Sequence, residues 1–212
     1  MALAIKKYLR AAADVLLPRT CAVCPDALDG DEKHLCRGCL ASLPRTRYEE
    51  AQFNHMEQLF AGKVPVERTA ALFYYEKGSP YASIVHDIKY RNMASMGVWM
   101  GKTAVDKMAA SRFFDGIDVV IAVPLHRDRQ VERGYNQAQM IARGIAEACG
   151  AIEIEGLKAT RPHSTQTRKG AYERWLNTRD TVAPNEKTMH MLAGKHVLLV
   201  DDVITTGATI SA

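Results

Sequence analysis

At 212 residues the chain can bury a sizeable core, and one α/β domain with a small appendage fits that length better than two full domains. Hydrophobic residues make up 47% and charged residues 25%, the balance of a soluble globular chain, and no apolar run reaches the length of a membrane span. A net charge of +4 suits an anionic ligand but falls short of the dense basic footprint of a dedicated nucleic-acid binder.

The first segment, Met1 to Leu17, has two lysines and then an apolar stretch, which raises the question of a secretion signal. Asp14 interrupts that stretch, and Pro18-Arg19-Thr20 makes a poor small-residue cleavage site. Leu9, Ala12, Ala13 and Leu16 at helical spacing predict an amphipathic helix instead, and the cytoplasm is the expected compartment. Four of the five cysteines follow at once, as Cys21-x2-Cys24 and Cys36-x2-Cys39 with eleven residues between the pairs. In a secreted protein they could form two disulfides; in a reducing compartment the spacing favours a metal. Four thiolates complete a tetrahedral shell and leave no open position, so structural zinc is expected, with iron in a rubredoxin-like site as the lesser option. A region this small has little core of its own, and metal binding would supply its folding energy. His34 could replace one cysteine, but the set is already complete. Cys149 reads most simply as a small buried residue.

Residues 1–44 are thus read as a helix and a cysteine module, 45–68 as a polar, irregular linker or adaptor, and 69–212 as alternating strands and helices. Ala70 to Tyr75 predicts a strand, and Ser79 could cap the helix after it. Met96, Met100, Ala104 and Met108 repeat at four-residue spacing, the core stripe of a second helix. Asp118 to Val123 is a short apolar run ending at Pro124, as in a buried parallel strand. Asn136 is placed to cap a helix through Cys149 that Gly150 ends. Ile152 to Leu157 alternates like a strand, and Lys195 to Val200 predicts another, buried and central. Strands separated by helices imply a mostly parallel sheet covered on both faces.

The most informative segment is Val197-Leu198-Leu199-Val200-Asp201-Asp202-Val203-Ile204-Thr205-Thr206-Gly207-Ala208-Thr209. An apolar strand ends on two carboxylates and a turn of small residues leads towards a helix. Ligands of open parallel sheets bind beyond the carboxyl ends of strands. Backbone N–H groups from Thr205 to Thr209 could cradle a phosphate, with Gly207 letting the backbone approach and the threonine hydroxyls adding donors. Two adjacent carboxylates would repel that phosphate unless they face something else, and the vicinal hydroxyls of a ribose are a good candidate.

This segment resembles, at every position, the 5-phosphoribosyl-1-pyrophosphate (PRPP) signature of type I phosphoribosyltransferases. The resemblance implies that fold, a mostly parallel sheet flanked by helices. It also implies that Asp201 and Asp202 hold the ribose hydroxyls and stabilise the reacting sugar, that Thr205, Thr206, Gly207, Ala208 and Thr209 hold the 5′-phosphate, and that Mg²⁺ arrives on the pyrophosphate. A nucleophile would then displace pyrophosphate at C1.

Ala122 to Gln137, containing Leu125-His126-Arg127-Asp128-Arg129 and Arg133-Gly134-Tyr135-Asn136, is similar to the pyrophosphate-side loop of the ComF (ComFC) competence family. Asp87-Ile88-Lys89-Tyr90 resembles that family's early lysine motif, and Arg161 to Gln166 with Glu173-Arg174 and Asn177 its later one. With the four cysteines, the resemblance covers nearly the whole chain. Arg127, Arg129 and Arg133 offer guanidinium forks for phosphate oxygens or form a solvated basic loop. His126 is a general acid or a plain loop residue; Lys89 reaches the pyrophosphate or complements a helix dipole. Arg161 to Gly170 is a hood over the ligand or a surface loop.

The resemblance implies a PRPP-binding, phosphoribosyltransferase-like protein serving DNA uptake in natural competence; the alternatives are a PRPP-dependent transferase in nucleotide metabolism or salvage, a single-stranded-DNA-binding accessory without transferase activity, or a module docking a partner such as a competence helicase. A purine-biosynthetic amidotransferase is disfavoured, because Met1-Ala2 supplies no N-terminal nucleophilic cysteine. Ala212 follows Gly207 by five residues where the fold continues into a helix, so a truncated C-terminus is expected.

Overall fold

The structure is a computed structural model, and it describes residues 18–160, 182–205 and 207. The helix predicted before Pro18 and the segment 161–181, with its hood and later motif, lie outside the described residues, as do Thr206, Ala208 and Thr209. Among the described residues no helix is long and apolar enough to cross a membrane.

In chain order the helices are α1 (Arg37–Ala41), α2 (His55–Phe60), α3 (Ala82–Tyr90), α4 (Ala94–Met108), α5 (Arg127–Arg133) and α6 (Gln137–Cys149). The strands are β1 (Val119–Ala122), β2 (Ile152–Glu153), β3 (Leu157–Ala159), β4 (Val182–Pro184) and β5 (Val197–Val200). A small parallel sheet runs β2-β1-β5, and β3 pairs with β4 antiparallel in a second sheet. This is a mixed α/β architecture with helices flanking the parallel sheet.

The centre of that sheet is β1, whose Val119, Val120 and Ile121 are all buried. A strand apolar at every position needs cover on both faces, and α6 provides it on one. Ala142, Ile145 and Ala146 of α6 form one core with Val120 and Val200. Asn136 caps α6 by accepting from the Ala138 N–H at 3.1 Å, and Gly150 ends it in the left-handed conformation. The methionine stripe of α4 is buried as its spacing implies.

Several expectations are corrected by the packing. Ala70 to Tyr75 forms no strand: Phe73 makes a single antiparallel bridge to Arg45, and with Leu72 it packs onto the cysteine core instead. Ser79 caps nothing, because α3 starts at Ala82 with Tyr81 at its N-cap. The Ile152 to Leu157 strand breaks in two where the backbone at Gly156 crosses Ile121; a Cβ there would sit 2.4 Å from the Ile121 Cδ1. β5 is not the central strand of the described sheet, and only its Val200 is buried. Residues 45–68 are not irregular throughout. A capping box of Asn54 and Glu57 starts α2, which buries Met56 and Phe60, and the buried Glu49 pairs with Arg45.

The second core joins the cysteine module to the α/β body. Cys21, Leu35 and Leu43 pack with Ile84 and Ile88 of α3 and with Met96 and Met100 of α4. The Tyr81 hydroxyl donates to the Cys39 carbonyl at 3.2 Å, a polar tie across the same junction.

The tightest contact is between α4 and α6. A Cβ on Gly101 would lie 2.2 Å from the Ile141 carbonyl oxygen, and one on Gly144 would lie 2.0 Å from that of Val98. Glycine to alanine normally stabilises a helix interior by about 0.5–1 kcal/mol. Here the colliding atoms are backbone and the helices must separate, so we expect Gly144→Ala to destabilise by about 1–3 kcal/mol. Chemical denaturation checks the sign: a variant as stable as wild type would mean the helices are not in backbone contact.

Candidate functional site

Two chemistry-bearing centres lie on this scaffold. The first is at the carboxyl ends of β1 and β5. Ala122 lies opposite Val200 in the parallel register, and the Val123 N–H donates to the Val200 carbonyl at 2.8 Å. The loop after β1 and the acids after β5 therefore leave the sheet side by side. Asp201 and Asp202 are half-buried, and the Asp202 N–H donates to Asp201 Oδ1 at 2.8 Å. Burial, and then the Asp202 carboxylate beside it, push the Asp201 carboxyl up to about 6.

Lys89 arrives from the far end of α3, its Nζ 2.8 Å from Asp202 Oδ2, and both side chains are largely withdrawn from solvent. The end of α3 is held there by the loop after β1. The Tyr135 hydroxyl donates to the Ile88 carbonyl, and the Arg133 guanidinium lies over the Tyr90 ring at 5.8 Å. Asn136 Nδ2 donates to the Val123 carbonyl at 2.9 Å, and the buried Gln137 joins Arg133 to the Tyr135 carbonyl. Asn136, Gln137 and Tyr135 are thus the struts of the site. Sequence reasoning assigned Asn136 only a cap and gave Gln137 no role.

Gly207 is buried with φ +69°, and a Cβ on it would meet the Phe60 ring at 2.9 Å. Phe60 of α2 therefore backs the turn, a contact from the segment read as a linker. Thr205 is exposed. His126 caps α5 by accepting from the Asp128 N–H through Nδ1 at 3.3 Å, and its Nδ1 is also 3.3 Å from Asp128 Oδ2. Leu125 and Arg127 line a cleft of about 760 Å³ together with Glu153, Glu155 and Lys158. The structure brings Lys89 to the acid pair; Leu125 and Arg127 it places on this other cleft.

The second centre is the cysteine cluster. The sulfurs of Cys21, Cys24, Cys36 and Cys39 all lie within 4.8 Å of one another, and those of Cys24 and Cys36 are 3.7 Å apart. Thiolates about 2.3 Å from one tetrahedral ion would be spaced roughly 3.8 Å apart, so the set fits zinc. The N–H groups of Val23 and Cys36 both donate to Cys21 Sγ at 3.4 Å, and the Cys39 N–H donates to Cys36 Sγ. Burial opposes ionisation of Cys21, but the N–H groups of Cys24, Cys36 and Val23 outweigh it and bring the thiol down to about 7. Burial raises Cys39, with the neighbouring sulfurs adding to the effect, and Cys24 is pushed up to about 11. One thiolate next to thiols is the expected balance for sulfurs this close without a cation among them.

The acid pair makes stability depend on pH. A carboxyl with a folded pKa near 6, above its unfolded value of about 3.9, binds extra protons in the folded state between those pH values. It favours folding at low pH and opposes folding as pH rises through about 6. Asp201→Asn should therefore melt higher than wild type at pH 7.5, with the gap closing by pH 4. A gap independent of pH would contradict the burial of this carboxyl.

No family model matches the chain, and no solved structure matches it significantly. Curated relatives do. The DNA utilization protein YhgH of Shigella flexneri is 25% identical over 197 residues, which cover 90% of this chain and 80% of the relative. Competence protein F of Haemophilus influenzae is 24% identical over 210 residues, 90% of this chain and 87% of the relative. Against YhgH of Salmonella typhi the identity is 25% over 136 residues, 62% of this chain, and there the chain spans 58% of the relative's length. Over 90% of its length, at about one identical residue in four, the chain is a homologue of the ComF/YhgH competence and DNA-utilization proteins.

Proposed function

We propose that the chain binds PRPP, or another phosphoribosyl ligand, beyond the carboxyl end of β5 on a type I phosphoribosyltransferase-type domain, and that it serves DNA uptake in natural competence. The observation that carries this reading is the contact of Lys89 with Asp202. Two segments far apart in sequence, each resembling a family motif, meet at one strand end. The names of the relatives, DNA utilization and competence proteins, support the biological half.

The chemistry runs from the residues outward. Ribose hydroxyls donate to the carboxylates of Asp201 and Asp202, and the 5′-phosphate lies on the N–H groups of the turn from Thr205 to Thr209. Lys89 neutralises part of the acid pair. A ribose taking its place beside Asp202 frees the ammonium for the pyrophosphate, with which Mg²⁺ would enter. A transferase would use the same arrangement to stabilise positive charge on the sugar as the C1–oxygen bond breaks. The competing reading is an accessory protein that binds the ligand without turning it over. Product release from PRPP and Mg²⁺ with candidate acceptors separates the two.

Each carboxylate accepting from a ribose hydroxyl should contribute about 1.5–3 kcal/mol. Asp201→Asn and Asp202→Asn should therefore lose roughly tenfold to a hundredfold in PRPP affinity by calorimetry with Mg²⁺. Two merely solvated aspartates predict the opposite sign, because removing negative charge would tighten binding of an anion. Equal affinity in both variants would remove the site assignment.

We further propose that Cys21, Cys24, Cys36 and Cys39 hold one structural zinc in the module of residues 1–44. Elemental analysis of protein purified without added metal should find one zinc per chain, and a strong chelator should lower the melting temperature. A folded, metal-free chain with unchanged melting behaviour would argue against it.

A further inference from the structure

Helix α3 belongs to both chemistry-bearing centres. It has nine residues, and a helix so short is marginal without tertiary support. What grips its two ends therefore decides where it lies. At the amino end, the Tyr81 hydroxyl donates to the Cys39 carbonyl at 3.2 Å. Along its buried face, Ile84 and Ile88 pack with Cys21, Leu35 and Leu43 of the cysteine module. At the carboxyl end, the Ile88 carbonyl accepts from Tyr135, and Lys89 reaches Asp202 at 2.8 Å.

The cysteine end of this link has little of its own to hold it. α1, which carries Cys39, has five residues, none of them buried, and Cys39 and Leu40 are only partly covered. The cap of α1 is the Cys36 sulfur, which accepts the Cys39 N–H and is itself one of the four in the cluster. The place of the Cys39 carbonyl thus depends on the sulfurs being drawn together, and a tetrahedral ion is what draws them. When the ion leaves, α1 and the turn at Cys21 are the first to loosen, because they bury the least. Tyr81 then loses its acceptor, and Ile84 and Ile88 lose the support of Cys21 and Leu35. The helix is released at one end, and the Lys89 ammonium at its other end loses its fixed position.

We infer that metal at the cysteine cluster and a phosphoribosyl ligand at Asp201 and Asp202 bind cooperatively, with α3 as the shared element and the Tyr81 hydroxyl as its link to the cluster. Metal occupancy becomes a control on the ligand site. The inference deepens the proposed function and rests on both of its sites, the phosphoribosyl site and the zinc cluster. Two ligands that favour the same placement of one element raise each other's affinity by the same factor. A ligand whose pyrophosphate engages the Lys89 ammonium favours the anchored α3, so the coupling is positive.

Competition for zinc between the full chain and a chelating dye tests this, with and without saturating PRPP and Mg²⁺. PRPP should raise the zinc affinity of wild type by about fivefold or more, and calorimetry should find PRPP affinity lowered by the same factor once zinc is removed. If the stripped chain does not stay folded, the dye measurement decides alone. Asp201→Asn/Asp202→Asn controls for PRPP acting on zinc in solution and should show no gain. Tyr81→Phe removes one hydroxyl that belongs to neither site; it should still bind both ligands, but with the factor reduced to about two or less. A tyrosine with a structural role only would lower the melting temperature and leave the factor unchanged, and that result would overturn the inference. If wild type binds zinc and PRPP and neither alters the affinity for the other, the inference fails while both site assignments stand. If zinc-loaded wild type binds no PRPP, or the chain takes up no zinc, the corresponding site assignment fails and the inference falls with it.

Discussion

The parallel pairing of β1 with β5 is what brings the rest of the site together. With Ala122 opposite Val200 and the Val123 N–H on the Val200 carbonyl, two chain segments distant in sequence leave the sheet at one level. A slip of one residue would turn Val200 outward and carry Asp201 to the opposite face. The register is secured by burial rather than by length, since each strand has four residues. Val120 and Val200 can share a core with Ala142, Ile145 and Ala146 in one alignment only, and α6 holds its place because glycines let α4 press against it.

On that frame the electrostatics are deliberately unsatisfied. Two carboxylates in sequence at a half-buried strand end repel each other, and one lysine does not cancel both. Strain of this kind is retained where a ligand relieves it. Hydroxyls are suited to do so, because they donate to a carboxylate without adding charge. The lysine is delivered by a helix whose own position depends on Tyr135, Arg133 and the cysteine core, so the site draws on the whole described fold.

Local patterns were legible in the sequence wherever one physical rule acted alone. The methionine stripe of α4, the Asn136 cap, the Gly150 stop, β1 and the cysteine pairs each follow from spacing or from a single residue's chemistry. Reading failed where tertiary contacts compete with propensity. Ala70 to Tyr75 has the composition of a strand, but it lacks a neighbouring ladder and gives its apolar side chains to the cysteine core. Residues 45–68 look polar because Glu49 and Asn54 are charged or hydrogen-bonding types, yet both are buried among partners that composition does not reveal. Phe60 could not have been assigned to the turn at Gly207 from sequence, since that contact is long-range. The acids and Lys89 were legible as separate motifs; that they touch is knowledge only the fold supplies.

The shared core of Cys21, Leu35, Ile84, Ile88, Met96 and Met100 also sets an order of events at the ribosome. The cysteine module is synthesised first, but the apolar surface it packs against is not complete until Met100 has emerged. At typical translation speeds of 5–20 residues per second, the interval from Leu43 to Met100 is roughly 3–12 seconds. Through that time Leu35 lacks the full set of α3 and α4 side chains it packs with, and the Tyr81 hydroxyl that meets the Cys39 carbonyl arrives only part-way through. The nascent chain is therefore most vulnerable to oxidation and mispairing at its beginning, and any factor that occupies the four sulfurs early shortens that exposure.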